Sequence, residues 1–328
     1  MLKHTMLSLS AVAALAFGST TFAQSANVKG AVKVDGSSTV APISMAVAEE
    51  FKKVTPGVEV SVGISGTGGG FKKGTAGEID IADASRPINK DELEKAASNG
   101  IEFIELPVAF DGLTFVVSKK NTWATSLTLD EIKKIYLDGG NVKTWKDIRA
   151  EWPAQPIKLY SPGTDSGTFD YFKEVVAGKK GAIRGDMSVS EDDNVLVRGV
   201  EGDEYALGFF GFAYFVENKD KLNALAIDAG KGAVTPSHDT VEKGTYAPFS
   251  RPLFIYINRK SADRPAVKAF VSFYLESASK LVEQVGYVKL PESIAKRVKA
   301  NFEARRTGTQ FQNEKGEHKH GALDELYH

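Results

Sequence analysis

The sequence predicts an α/β protein with mixed or largely parallel sheets, and three observations predict it. Short apolar runs, among them AVKV from Ala31, VEVSV from Val58 and IDIADAS from Ile79, alternate with segments whose apolar residues recur at helical spacing. Helical segments of that length between strands are the crossovers that parallel pairing needs. Glycine, serine and threonine cluster in DGSST (Asp35 to Thr39), SGTGGG (Ser65 to Gly70) and SPGTDSGT (Ser161 to Thr168), each after an apolar run and before a helix-like one.

The elements follow in order. Lys3 and His4, the apolar run MLSLSAVAALAF and the stretch STTFAQS, in which Ala23 closes a small-residue cleavage pattern, predict a secretory signal peptide over residues 1–23. The run is shorter than the ~20 apolar residues of a membrane span. In PISMAVAEEFKKV, residues Ile43, Val47, Phe51 and Val54 share a helical face, and Val58, Val60 and Val62 line one side of a strand. DELEKAAS continues as helix, and IEFIELPVAF and LTFVVS as strands. Thr128 and Glu131 form a capping box ahead of Ile132, Ile135 and Tyr136, so TLDEIKKIY is a surface helix. FDYFKEVV places Phe169, Phe172 and Val176 at helical spacing. ALGFFGFAYF is expected as a strand pair or a strand with a glycine bend, and RPLFIYIN as a late strand. Only helices are expected after it: DRPAVKAFVSFYL, ASKLVEQV and PESIAKRVKANFEARR.

Two apolar strands in polar, proline-containing surroundings, DGLTFVVSKK and YAPFSRPLFIYIN, are expected to cross between two domains, with a hinge near residues 113–118 and 247–255. The first domain then comprises residues 24–115 with 251–306, and the second 116–250. Residues 307–328 are mostly polar and without a sustained period, which predicts a tail or loose extension.

The 328 residues carry 41 basic and 42 acidic side chains, a balance that leaves no net field for nucleic acid. With no cysteine there is neither a disulfide nor a lipid on a cysteine behind the signal, which suits a protein free in the periplasm or released from the cell. Backbone N–H groups at helix starts, the positive end of the helix dipole and neutral hydroxyls together favour a small oxyanion. Capping alone accounts for any one such loop; three on one α/β body point to an anion site. Neither glycine stretch has the residue order of a nucleotide loop. Asp83, Ser85 and Arg86 in DIADASRPI add a fourth element, in which Arg86 can contact a tetrahedral oxyanion through two N–H groups.

In order and spacing, DGSSTVAPI, SGTGGGFKK, DIADASRPI and SPGTDSGTFDYF resemble the periplasmic phosphate-binding protein of the phosphate-specific ABC transporter, and the resemblance runs through AFDGLTFVV and GTYAPFSRPLFIYIN to TGTQF. It implies a two-domain periplasmic binding protein (type II-like) whose cleft, between domains joined by two crossing strands, closes on inorganic phosphate for delivery to membrane permease subunits. Carried onto this sequence, it implies contacts from Ser38 and Thr39, from Ser65 or Thr67, and from Ser166, Gly167 and Thr168. The enteric type has an arginine just before the last loop, where Pro162 stands here, so Arg86 is the expected cation. Ser85 takes the place of the aspartate that accepts the phosphate proton, which leaves Asp83, Asp111 and Asp165 as acceptors, Asp111 first. A carboxylate can accept from P–OH but repels sulfate, which carries no proton at neutral pH.

Sulfate, molybdate or tungstate on the same fold is the alternative ligand reading. A hydrolase would need a base beside Ser166 or Ser38, and only His238 belongs to the body of the chain, with no GxSxG elbow anywhere. The tail histidines of HKH make no metal cluster with neighbours in sequence. An unlipidated monomer without cofactor is therefore expected.

Overall fold

The structure, a computed structural model, describes residues 28–164, 166–178, 181–190, 192–319 and 321–328. The expected signal peptide lies outside the described residues. The strands are β1 (Gly30–Gly36), β2 (Val58–Ile64), β3 (Ile81–Ala84), β4 (Phe103–Ser118), β5 (Ser126–Thr128), β6 (Lys158–Pro162), β7 (Ser188–Ser190), β8 (Ala206–Gly211), β9 (Leu222–Ala224), β10 (Ala226–Asp228), β11 (Ala233–Val234) and β12 (Ser250–Asn258). The helices are α1 (Ala41–Val54), α2 (Gly66–Thr75), α3 (Lys90–Ser98), α4 (Leu129–Tyr136), α5 (Trp145–Ile148), α6 (Gly167–Ala177), α7 (Asp193–Gly202), α8 (Phe212–Glu217), α9 (His238–Glu242), α10 (Pro265–Gln284), α11 (Glu292–Glu303) and α12 (Leu323–Leu326).

One long sheet runs β2-β1-β3-β12-β4-β8-β6-β7, with β9 also on β4, and a small sheet β11-β10-β5 stands beside it. β1 is parallel to β2 and β3, and β6 is parallel to β7 and β8, as helix crossovers require. β4 joins the two halves. Its residues up to Gly112 pair antiparallel with β12, and from Leu113 to Ser118 they pair with β8 and β9. All sixteen of its residues are buried, which explains why it reads as largely apolar, broken by the buried Glu105 and Asp111, and not as an alternating strand. With β12 returning beside it, two crossing strands connect two lobes.

Each lobe has its own aromatic core. Phe51 packs on Phe270 and Phe273, and Phe71 on Phe103 and Tyr256, in the first; Phe115, Tyr136, Phe172 and Phe209 pack together in the second. The capping box of Thr128 and Glu131 forms as expected, burying Ile132, Ile135 and Tyr136.

Four local expectations are corrected. ALGFFGFAYF is a strand followed by α8, not a strand pair. DRPAVKAFVSFYL and ASKLVEQV are one continuous helix, α10. The glycines of SGTGGG lie inside the first turns of α2 and not in a loop before it. Tertiary contact decides the last case, because a Cβ on Gly70 would stand 2.7 Å from the Cα of Gly36, and glycine alone lets α2 close on the end of β1.

The fourth correction concerns residues 307–328, expected as a loose tail. Phe311, Leu323 and Tyr327 are buried in the first lobe, and Phe311 packs edge-on against Phe254. The carboxylate of Glu105 on β4 accepts from Tyr256 Oη at 2.8 Å, Thr309 Oγ1 at 2.5 Å and Gln310 N at 2.8 Å. The side chain of Arg297 holds the carbonyls of Asp324 and Tyr327. Polar residues dominate the segment because its few apolar ones suffice to anchor it.

Candidate anion-binding site

Strand direction brings the loops together. The parallel strands β1, β2 and β3 end at one rim, where Gly36 stands level with Ile64 on one side and with Asp83 on the other. β12 enters the sheet antiparallel at that rim, with Phe254 opposite Ala84 and Arg251 opposite Asp111. From the other lobe, β8 ends at Gly211 opposite Leu113 of β4, and β6 ends two residues past Tyr160, itself level with Gly208. The C-terminal ends of both strand sets therefore face the junction, as ligand-binding α/β sheets arrange them.

At the centre of the junction is Arg251, whose side chain is only 12% exposed. Its Nη2 approaches Thr39 Oγ1 at 3.4 Å and Asp111 Oδ2 at 3.5 Å, and Nη1 stands 3.6 Å from Glu174 Oε2 on α6. Among the described residues Nε, 3.5 Å from the same Asp111 oxygen, has no hydrogen-bond partner. The guanidinium lies 3.7 Å over the ring of Tyr171, whose hydroxyl is anchored on the Pro248 carbonyl. All four polar approaches are long for charge-assisted hydrogen bonds, which close to about 2.7–2.9 Å. A buried cation held by its flat face, with its donors underused, is prepared for an anion.

Asp111 is 1% exposed. Burial drives its carboxyl above the ordinary range, while Arg251 and the Gly112 N–H oppose the shift. Both Asp111 and Arg251 were placed by the crossing strands, yet only Asp111 was singled out from sequence. Arg251 was missed because a lone arginine before a proline carries no local signature; its signal was the predicted hinge, where a buried charge would face both domains.

Arg86, the expected cation, lines the junction cavity but is already paired in this structure. Its Nη1 and Nη2 donate to Glu92 Oε2 and Oε1 at 2.9 and 2.8 Å, a two-pronged pair, and its guanidinium covers the ring of Phe71. Glu92 at the same time completes the capping box of α3 with Asn89. Asp83 is corrected. It is wholly buried, with Oδ1 accepting from Ser44 Oγ of α1 at 3.1 Å, and it faces the core beneath the rim, not the junction. Asp165 lies outside the described residues.

The remaining expected residues fall into two groups. Ser38 Oγ donates across the junction to Asp170 Oδ2 at 3.4 Å, joining the DGSST loop to the first turn of α6. Thr39 is buried, its N–H held by Ser37 Oγ at 3.2 Å and its hydroxyl facing Arg251. Thr67 Oγ1 accepts from Ser85 N at 3.1 Å and lies 3.1 Å from Ser85 Oγ, so those two loops are tied. Ser166 caps α6, accepting from Thr168 N at 3.2 Å, while Gly167 opens the helix. Ser65 is drawn off, its hydroxyl donating to Asp35 Oδ1. Lys73 binds the other oxygen of Asp35; against the effect of burial, these two partners hold that carboxyl below its usual range. His238 packs edge-on against Phe212 at the start of α9.

The sequence matches the PBP superfamily domain over residues 21–278. The chain belongs to that superfamily. Among PBP relatives, protein SphX of Synechococcus elongatus is 51% identical over 283 residues, covering 85% of this chain and 83% of that one. The phosphate-binding protein PstS of Staphylococcus saprophyticus is 42% identical over 272 residues, covering 82% and 83%. The crystal structure of a possible phosphate binding protein from Planctomyces limnophilus superposes with a TM-score of 0.82 at 46% identity, covering 85% of this chain and all of that one. An ABC-type phosphate transport receptor from Vibrio cholerae superposes at 0.63 with 27% identity, covering 79% and 100%.

Beside Arg251, the PBP junction holds a cavity of about 550 Å³ lined by Ser85, Arg86, Glu174 and Pro248 and, from the C-terminal segment, by His318, Lys319 and Leu323. Among the described residues, no helix is long and apolar enough to cross a membrane.

Proposed function

We propose that this chain is an exported receptor that binds inorganic phosphate at the lobe junction and delivers it to the permease subunits of an ABC transporter. The observation that carries the reading is Arg251, buried between the lobes, its Nε without a hydrogen-bond partner among the described residues and its other donors at long range from Thr39, Asp111 and Glu174. Support comes from its relatives, a phosphate-binding protein at 42% identity and an ABC-type phosphate transport receptor of the same fold at 27% identity.

Thr39, Thr67 and Ser85 on one lobe and the start of α6, with Ser166, Gly167 and Thr168, on the other supply donors; Ser38 joins the two sides. Neutral donors around a single guanidinium suit an anion that must both enter and leave. Asp111 serves as acceptor of the phosphate proton. Beside Arg251 it can accept from P–OH and repels an anion that has no proton to give. Closure is a rotation about β4 and β12, with residues 24–115 and 251–306 on one side and 116–250 on the other, because a ligand touching both lobes favours the state in which both reach it. The receptor is a periplasmic monomer, cleaved after Ala23, with no catalytic step and no cofactor.

Calorimetric titration of the mature protein, freed of bound anion, with phosphate and then sulfate across about pH 5 to 8 tests the reading. Phosphate binding with no sulfate response is expected. Sulfate or molybdate binding instead keeps the fold and overturns the ligand, and silence with every oxyanion returns the serine and threonine loops to simple capping.

A further inference from the structure

Beneath the rim, and outside the site just described, lies one buried carboxyl that no contact of the junction uses. Asp83 Oδ1 accepts from Ser44 Oγ, which is 3.3 Å from Tyr274 Oη, and Oδ2 is buried with no hydrogen-bond partner among the described residues. A buried ionised carboxylate would require partners for both oxygens, so this geometry suits the neutral acid.

Its position is as telling as its partners. The carbonyl of Asp83 accepts from Ser37 N at 2.9 Å. Gly36, with φ 149°, lies so close that a Cβ there would fall 2.1 Å from that carbonyl oxygen. The main chain of Asp83 thus carries the loop leading to Ser38 and Thr39, while its side chain holds the fourth residue of α1, the helix whose start faces the anion.

We infer that Asp83 is a positioning residue for the anion cradle, tying α1 and the Gly36–Thr39 loop to β3 as a neutral acid, and that its ionisation weakens anion binding. The inference rests on the phosphate reading above. The physical cause is competition. Ser44 lies about one turn inside α1, so an ionised carboxylate bound to it would draw on the same positive helix end as an anion at the helix start.

The groups around the carboxyl favour its neutral form, with Ser44 alone opposing among the described residues. On β1, Asp35 adds a like charge that its own partner Lys73 of α2 only partly cancels; on α10, Tyr274 is itself held neutral by burial beside Asp83; on α1, Ser44 donates to the carboxyl; and β12 presents Ile255 across the pair. Burial, the largest effect, outweighs Ser44 and raises the Asp83 acid to about 8, with Asp35 adding to the rise. A site that binds only while this group is protonated loses affinity by a factor of about ten between pH 7 and pH 9.

The test compares the pH dependence of phosphate affinity, by calorimetry, in the wild type, Asp83→Asn and Ser44→Ala. Ionisation of phosphate itself and of Asp111 is common to all three, so the ratio of Kd at pH 9 to Kd at pH 7 isolates Asp83. The ratio is expected to be about tenfold smaller in Asp83→Asn, which has no charge to gain, and the onset is expected at higher pH in Ser44→Ala, where the donor that favours the charged form is gone. Equal ratios in the wild type and Asp83→Asn, with phosphate still bound, overturn the inference and leave the functional reading standing. A wild type that binds no phosphate at any pH overturns the functional reading, and this inference with it.

Discussion

Replacing Arg251 by methionine keeps most of the side-chain length and its contact with the Tyr171 ring while removing the charge. Among the described residues, the polar approaches of the guanidinium, to Thr39, Asp111 and Glu174, are long, between 3.4 and 3.6 Å. Little is therefore lost there that an anion would not restore. With phosphate bound, two charge-assisted hydrogen bonds at about 1.5–3 kcal/mol each are lost, offset in part by water that takes their place. A net loss of about 3 kcal/mol raises Kd roughly 150-fold. One confounding effect has a known direction: without Arg251, Asp111 is a buried carboxylate with no counter-charge, and it will hold a proton. The double variant Arg251→Met with Asp111→Asn removes that effect, so phosphate Kd by calorimetry and Tm by scanning should be measured on both. Arg86→Ala is the comparison, expected to change Kd less than about threefold, since its guanidinium is already bound to Glu92. Wild-type affinity in Arg251→Met together with lost binding in Arg86→Ala would refute the assignment.

Three further outcomes follow from the same geometry. Asp111→Asn, which replaces a repelling carboxylate with a neutral amide, should allow sulfate to bind where the wild type shows no response, measured by competition against phosphate. Asp83→Asn should raise Tm near neutral pH: a folded-state value of about 8 lies above the unfolded one, so the native protein carries a proton the unfolded chain has released, and stability falls as pH rises between about 4 and 8. The gain should shrink toward about pH 4, and a difference independent of pH would exclude ionisation as its cause. Glu105→Ala should free residues 307–328 while leaving the rest folded, because it strands the donors of Tyr256, Thr309 and Gln310, each left unpaired at a cost of about 1–3 kcal/mol. Limited proteolysis should then cut within that segment first, and an unchanged cleavage pattern would show that Phe311 and Tyr327 suffice to hold it.

Fold class was legible because strands and helices announce themselves by pattern: Ile43, Val47 and Phe51 in α1, the capping box of α4, and the largely apolar stretch of β4. The amphipathic pattern and the turn chemistry are local properties, written within a few residues of the backbone they shape. Three hydroxyl-rich loops likewise pointed to an anion, and the two crossing strands located the junction. What the sequence could not rank was partnership. Arg86 and Arg251 are equal as letters, and each stands next to a proline; Glu92, six residues away on α3, occupies the first, while the second meets Asp111 only through antiparallel pairing across 140 residues. Asp83 and Asp111 are equally buried, but alternation along a strand turns one toward α1 and Tyr274, while strand pairing sets the other beside Arg251. Residues 307–328 read as a tail because two or three buried side chains leave no period, and their docking depends on Glu105 some two hundred residues earlier. The sequence by itself determined the fold class and the hydroxyl-rich loops suited to a small anion; that Arg86 is paired with Glu92 while Arg251 is buried between the strands with its Nε unpaired among the described residues was decided only by the tertiary fold, because pairing across 140 residues is not written locally.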